Sequence, residues 1–589
     1  MDRLPPELIA LIISFLNEDD DNDKNNTTTN LAAYAPISRQ YQVAVEHLTF
    51  RRLRVQSGAE QLALFAERLL PRHRRAALAE IAFEVLLPAY SADRAAKFER
   101  RREREANNAA FTAAVAALFR VLRGWEEEEG DDGGKARSGR GRGIALHLGA
   151  YAVADVERPR ALDEWRDLGA HRYGKSVLRL LDGDGDGETM QIPEVRRIVE
   201  FRTPGRSRCT RQLRAASVAR IAAAGMPNLG RVEWELDDCA FAEDEVRHRY
   251  RKDFADALSA VANGRLTDFC LRLRLDDPQN DAFSVPSGTD PAAGVDALSV
   301  ALHDWLSAAP KLVSFSLDMS LSPSIFGPDA ALSPSPSSPS SPSSSSSQPP
   351  PTKYPHLRTA RIATGRTTAA GTWLYSADAD ADAQAAQAAD GAEWEWRDPY
   401  DQSGYSSSAC MTSWSSEELV DPDDSDWAET WHDWHDGLAT GRRPRRHFRS
   451  RVDRGLLEGF LERASRAVMV MGKKGKRDMM PRLERMVVQV GEEVGGDWQF
   501  GQGEAQERQI YWECGVDDQL GTGDGDGGSG GMEKEKERKR KGKVVRVVTL
   551  PGTWNEDPRW KPSKELREMW ERWVGEEGRV EVELCEDNF

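Results

Sequence analysis

The chain has 589 residues, room for several domains of about 100 to 200 residues each, so its length restricts no architecture. Asp and Glu number 97 against 80 Lys and Arg, and the resulting net charge of −17 repels phosphate backbones and argues against nucleic acid as a principal partner. The six cysteines are scattered, with no CxxC pair and no metal-ligand spacing, which fits reduced thiols and no metal cofactor.

Pro5, Pro6 and Glu7 suit the start of a helix, where proline's missing N–H costs nothing and a carboxylate meets the positive end of the dipole. In the helix that follows, Leu8, Ile9, Leu11, Ile12, Ile13, Phe15 and Leu16 cover an arc of about 200°, roughly twice what a surface helix buries. The run is no signal peptide, since Asp2 and Glu7 stand where positive charge is expected and no small-residue cleavage site follows. No stretch reaches the roughly 20 apolar residues that span a bilayer, so the expected location is cytoplasmic or nuclear, with no membrane partner.

After an Asp/Asn/Thr-rich insertion come Leu31, Ala32, Tyr34 and Ala35, stopped by Pro36, and then Ile37, Tyr41, Ala44, Val45 and Leu48 at helical spacing. The pattern predicts three short helices whose shared core is too small for the first helix's apolar surface. A cover is therefore expected, either a partner or the rest of this chain.

Leu4-Pro5-Pro6-Glu7-Leu8 with Ile12, Ile13, Phe15 and Leu16, followed by Ala35-Pro36-Ile37-Ser38-Arg39-Gln40-Tyr41, resembles the F-box, and specifically F-box proteins of filamentous fungi. Tyr41 stands where that family usually has tryptophan, and the Asp/Asn/Thr run lengthens its first connection. The resemblance covers residues 1–50. It implies a helical module docking on a Skp-family adaptor, and through it on a cullin-RING ligase. It implies Leu4, Pro5, Glu7, Leu8, Ile9, Ile12, Ile13 and Leu16 as adaptor-binding residues, and a substrate-receptor role in an SCF-type ubiquitin ligase.

Beyond residue 50, a phrase Pro-x-Leu-x-x-φ-x-φ, with φ apolar or small, recurs from Pro227, Pro310, Pro355 and Pro481, with a looser copy from Gly264. Proline ends what precedes, and the alternation is that of a strand with one buried face. Shorter alternations begin at Phe50, Leu78 and Ile144, and helical periodicity falls at 111–123, 213–224, 244–262, 295–308 and 456–471. This order of elements resembles an irregular leucine-rich-repeat α/β solenoid, without an asparagine ladder. A doubly wound parallel sheet uses the same alternation and is the competing architecture.

Residues 51–332 and 353–376 then hold repeat-like structure, separated by a Ser/Pro-rich tract at 333–352 too polar to repay its ordering entropy. Residues 377–451 form an acidic, Trp-rich insertion ending in a basic run, with Trp427, Trp431, Trp434 and Leu438 at helical spacing. Residues 452–513 read as a repeat-like helix and strand, and 514–543 as a Gly-rich and then basic linker. A strand, a helix capped by Ser563 and a strand close the chain over 544–589.

Asp182-Gly183-Asp184-Gly185-Asp186-Gly187 matches half of a calcium loop, but Pro193 occupies the position that must supply a bidentate glutamate. His432 and His435 have helical metal spacing without further ligands. GxSxG, P-loop and HExxH motifs are absent, and the chain is expected to be no enzyme. The leading expectation is an F-box receptor whose repeat region holds a protein substrate. The alternative is a repeat scaffold whose first helices merely cap the solenoid.

Overall fold

The computed structural model describes residues 5, 8–9, 11–13, 31–91, 99–130, 143–156, 173, 176–181, 191–204, 211–238, 244–274, 283–327, 354–376, 451–469, 483–490, 510–516, 543–549, 561–574 and 579–584. The EF-hand-like run, the Ser/Pro tract, the Trp-rich insertion up to residue 450 and the basic run lie outside them, as do His432 and His435.

Leu8, Ile9 and residues 11–13 are helical. A 3-10 helix, Leu31–Ile37, runs through Pro36, where the pattern predicts a stop; so short an element offers few internal hydrogen bonds for proline to break. Helix α1 (Arg39–Thr49) follows, capped by Ser38, whose Oγ accepts from the Tyr41 N–H at 3.4 Å.

The body then alternates strands and helices. Strand β1 (Arg52–Gln56) leads through α2 (Ala59–Arg68) and α3 (Arg72–Ala77) to β2 (Glu80–Leu87). The long α4 (Arg101–Gly130) precedes β3 (Ile144–Ala152) and β4 (Ile198–Arg202). Helices α5 (Ala215–Gly225), α6 (Asp244–Ser259) and α7 (Ala297–Ser307) introduce β5 (Arg231–Asp237), β6 (Asp268–Arg274) and β7 (Ser314–Met319), and β8 (Thr359–Thr364) follows. The short β9 (Tyr375–Ser376) and β10 (Arg451–Val452) pair antiparallel, bringing together the two ends of the Trp-rich insertion. Helix α8 (Arg454–Met469), β11 (Arg485–Val490), β12 (Ile510–Val516), β13 (Lys543–Thr549), α9 (Lys564–Val574) and β14 (Arg579–Leu584) complete the chain.

Twelve of these strands form one sheet in the order β1-β2-β3-β4-β5-β6-β7-β8-β11-β12-β13-β14, so neighbours in space follow one another in sequence. Strands β1 to β8 and β11 are mutually parallel. The fold is therefore mixed α/β on a largely parallel sheet. A doubly wound sheet needs a reversal of strand order, and none occurs among the described strands. Strand β12 departs from the expected strand-helix alternation by running antiparallel to both neighbours. It also continues to Val516, past the expected start of the linker at 514.

One face of every central strand is apolar. Phe83 and Val85 of β2, Leu146 and Leu148 of β3, Trp234 of β5 and Leu271 of β6 are at most 1% exposed. Phe119 of α4, Ile221 of α5, Phe254 of α6, Leu302 of α7, Leu461 of α8 and Trp570 of α9 belong to the same core. Trp234 is ringed by Phe201, Phe254 and Phe269, with centroids 6.0 to 6.3 Å apart. Of the leucines of the recurring phrase, Leu229, Leu266, Leu312 and Leu357 are buried just ahead of their strands and Leu483 is partly buried; successive turns bond one another there, Thr267 N–H to Gly230, Val313 to Thr267 and Arg358 to Val313, at 2.7 to 2.8 Å.

Two buried ion clusters brace the helix layer. Arg211 forks onto Glu99 at 2.7 and 3.0 Å and lies 3.7 Å over the Tyr173 ring. Just beyond β5, Asp238 accepts from Arg247 and Arg251, both at 2.8 Å, and Arg251 also forks onto Asp296, which caps α7. Burial alone pushes the Asp238 carboxyl up, but the two guanidiniums outweigh it and hold it below its ordinary range.

Candidate interaction surfaces

Two surfaces stand out, one apolar and one charged. The first is the N-terminal helix, whose apolar arc is split between two sides. Ile9 and Ile13 are 0% exposed and pack with Leu31, Tyr41 and Val45 in a small core distinct from the main one. Leu8, Leu11 and Ile12, at i, i+3 and i+4, remain 40 to 49% exposed. Ile37 and Val43 on the neighbouring elements are likewise exposed. Of the residues implied as adaptor-binding, Leu8 and Ile12 thus reach solvent and Pro5 is exposed, whereas Ile9 and Ile13 face inward and hold the helix down. Leu4, Glu7 and Leu16 lie outside the described residues. Tyr41 sits in the small core with 7% exposure.

A carboxylate of this module reaches the body. Glu46 of α1 accepts from Arg74 of α3 at 2.7 and 3.1 Å, and His73 Nε2 lies 2.7 Å from the same group. The Arg74 guanidinium also lies 4.9 Å over the Phe50 ring. The hydrogen bonds from Arg74, followed by that of His73, outweigh burial and lower the Glu46 carboxyl to about 2.

The second surface is the sheet face opposite the core. Strand register places its side chains in rows running across the strands. One row reads Glu200, Arg231, Asp268, Ser314, Thr359 and Arg485, and the next Arg202, Glu233, Cys270, Ser316, Arg361 and Val487. Neighbouring charges pair: Arg231 with Glu200 at 3.8 Å and Asp268 at 3.7 Å, and Arg202 with Glu233 at 3.4 Å. Farther along, Ser314 Oγ donates to Asp268 at 2.8 Å and Arg361 Nη2 to Gln489 at 3.0 Å. Apart from Arg202, which borders it, these residues of β4 to β8 and β11 line a groove of 640 Å³. Burial raises the Cys270 thiol above its ordinary range. Sequence patterning had left this surface as unassigned polar positions, because its rows join residues from six strands.

No cluster of His, Cys, Asp and Glu suited to a metal exists among the described residues, and none of their helices is long and apolar enough to cross a membrane. The Asp238-Arg247-Arg251-Asp296 cluster was also missed by sequence reasoning. Its side chains are 0 to 1% exposed and each charge is met within the cluster, so the arrangement suits bracing and gives a substrate no access. No protein-family model and no curated protein matches the sequence.

Proposed function

We propose that the chain is the substrate receptor of an SCF-type ubiquitin ligase, its F-box-like N-terminal module docking on a Skp-family adaptor and its irregular α/β solenoid holding a protein substrate. The observation that carries this reading is the split N-terminal helix. Ile9 and Ile13 pack into the small core, and Leu8, Leu11 and Ile12 are left as an exposed apolar strip. A partner that covers such a strip recovers roughly 1.5 to 3 kcal/mol per large apolar side chain fully buried. The sequential strand order and the stacked Pro-x-Leu turns support the solenoid, since strands that pair in the sheet then belong to successive units.

The test is co-purification with a Skp-family adaptor. Ile12→Asp is expected to abolish capture while the chain stays folded, because the site is exposed alone and an unpaired charge is buried only in the complex. Normal capture by this variant would refute the docking model. The Glu46-Arg74 joint favours one competing reading, in which the helices cap the first strand of a scaffold. Removing residues 1–50 separates the two: a cap's loss unfolds or aggregates the remainder, whereas a receptor's body stays folded.

A further inference from the structure

Independently of the receptor reading, we infer that the outer edge of β1 takes an extended protein segment as a further strand, one in which acidic residues alternate with β-branched apolar ones. Strand β1 ends the sheet, and no described strand pairs with its outer side. Alternate residues of a parallel strand turn both backbone groups to the same side. The Ser57 N–H donates to Glu84 and the Arg51 carbonyl accepts from Glu80, each at 3.0 Å, so these two residues face β2. Arg52, Arg54 and Gln56 therefore point their N–H and C=O groups outward. Such a row of backbone groups is a template for another strand.

Side chains decide which strand fits. On the open sheet face Arg52 pairs with Glu80 of β2 at 3.3 Å and Arg54 with Glu84, yet the two arginine side chains stay 74 and 73% exposed. Gln56 turns inward instead, its Nε2 donating to the Tyr151 hydroxyl at 2.8 Å. Inside the sheet an arginine in the same setting has a carboxylate on each side: Arg231 of β5 lies 3.8 Å from Glu200 of β4 and 3.7 Å from Asp268 of β6. Among the described residues, Arg52 and Arg54 meet carboxylates from the β2 side alone. A guanidinium carries five donors, so an acid on an added strand completes the bridge while Glu80 and Glu84 keep their places. A cationic strand sets like charges opposite one another, and so does a second β1 laid against the first. On the other face Val55 is buried, whereas Leu53 is only partly buried against the main core. Apolar residues of the added strand extend that layer. A slip of one residue exchanges the two faces, so the alternation itself is recognised. Strand β1 is five residues long, which sets the length of segment it engages.

The test is fluorescence anisotropy on the full chain with labelled synthetic peptides between Ser/Gly flanks. The first alternates valine and glutamate; the controls alternate valine and lysine, or hold the first peptide's residues in separate valine and glutamate blocks. The alternating acidic peptide is expected to bind at least about tenfold tighter than either control. Hydrogen exchange then locates it: the amides of residues 52–56 should slow when that peptide binds, while those of β14, at the opposite edge, stay as they were. Combining Arg52→Glu with Arg54→Glu should reverse the ranking in favour of the valine/lysine peptide. No binding, equal binding of the three peptides, unaltered exchange at β1, or an unchanged ranking in the folded double variant would overturn the assignment. The peptide series and the exchange readout use the unmodified chain and decide the matter if the double variant fails to fold. Protection at β1 that rises with protein concentration in the absence of peptide assigns the edge to a second copy of the chain and likewise overturns it. Adaptor capture enters none of these readouts, so this assignment and the ligase reading fail separately.

Discussion

At the scale of single residues, burial separates side chains that the sequence presents as equals. Ile9 and Leu11 read alike as apolar positions of one helix, yet one is enclosed and the other half exposed. Ile9→Ala is therefore expected to destabilise the N-terminal module by about 2 to 5 kcal/mol, whereas Leu11→Ala should leave its stability within about 0.5 kcal/mol, as hydrogen exchange across α1 would measure. Trp234→Ala opens a cavity among three phenylalanines and should cost about 3 to 5 kcal/mol in chemical denaturation of the body. The buried clusters were illegible beforehand, because nothing in the spacing of Asp238, Arg247, Arg251 and Asp296 says that four charges meet. Replacing Arg251 with Met leaves Asp296 without its main partner and should cost about 3 to 5 kcal/mol by the same measurement.

Elements were more legible than residues, for a physical reason. A strand with one face against helices and the other open must alternate, and β2, β3, β5, β6 and β7 do so plainly. Strand β4 escaped notice because Ile198 and Val199 are adjacent and blur the period. Helix α4 extends well beyond the expected 111–123, its ends being charged segments without a buried stripe to mark them. The joint between α1 and α3 belongs to this scale. The Glu46 carboxyl is lowered on folding, so its contribution is complete above the ordinary value of 4.5 and disappears as pH falls toward about 2. Limited proteolysis between the module and β1 should therefore be unchanged from pH 7 down to 5 and accelerate as pH falls below 4.5. Arg74→Ala should show the faster cleavage already at pH 7.

For the whole molecule, the alternation of strands and helices left two architectures open, and the order of the described strands contains no reversal. In a sheet whose spatial neighbours are also neighbours in sequence, stability spreads by contact between adjacent units. Denaturation is expected to proceed in more than one phase, with amide exchange fastest near β1 and β14 and slowest around β5 to β7; a single transition with uniform exchange would contradict this. The same order bears on how the chain is made. Each parallel strand finds its partner among residues already synthesised, so the sheet can lengthen unit by unit as the polypeptide leaves the ribosome. Growth at an edge also tolerates interruption. The 74 residues between Ser376 and Arg451 enter and leave at the paired β9 and β10, and β8 still meets β11 in unbroken register. A lineage built this way can acquire long new segments between units without re-solving its core.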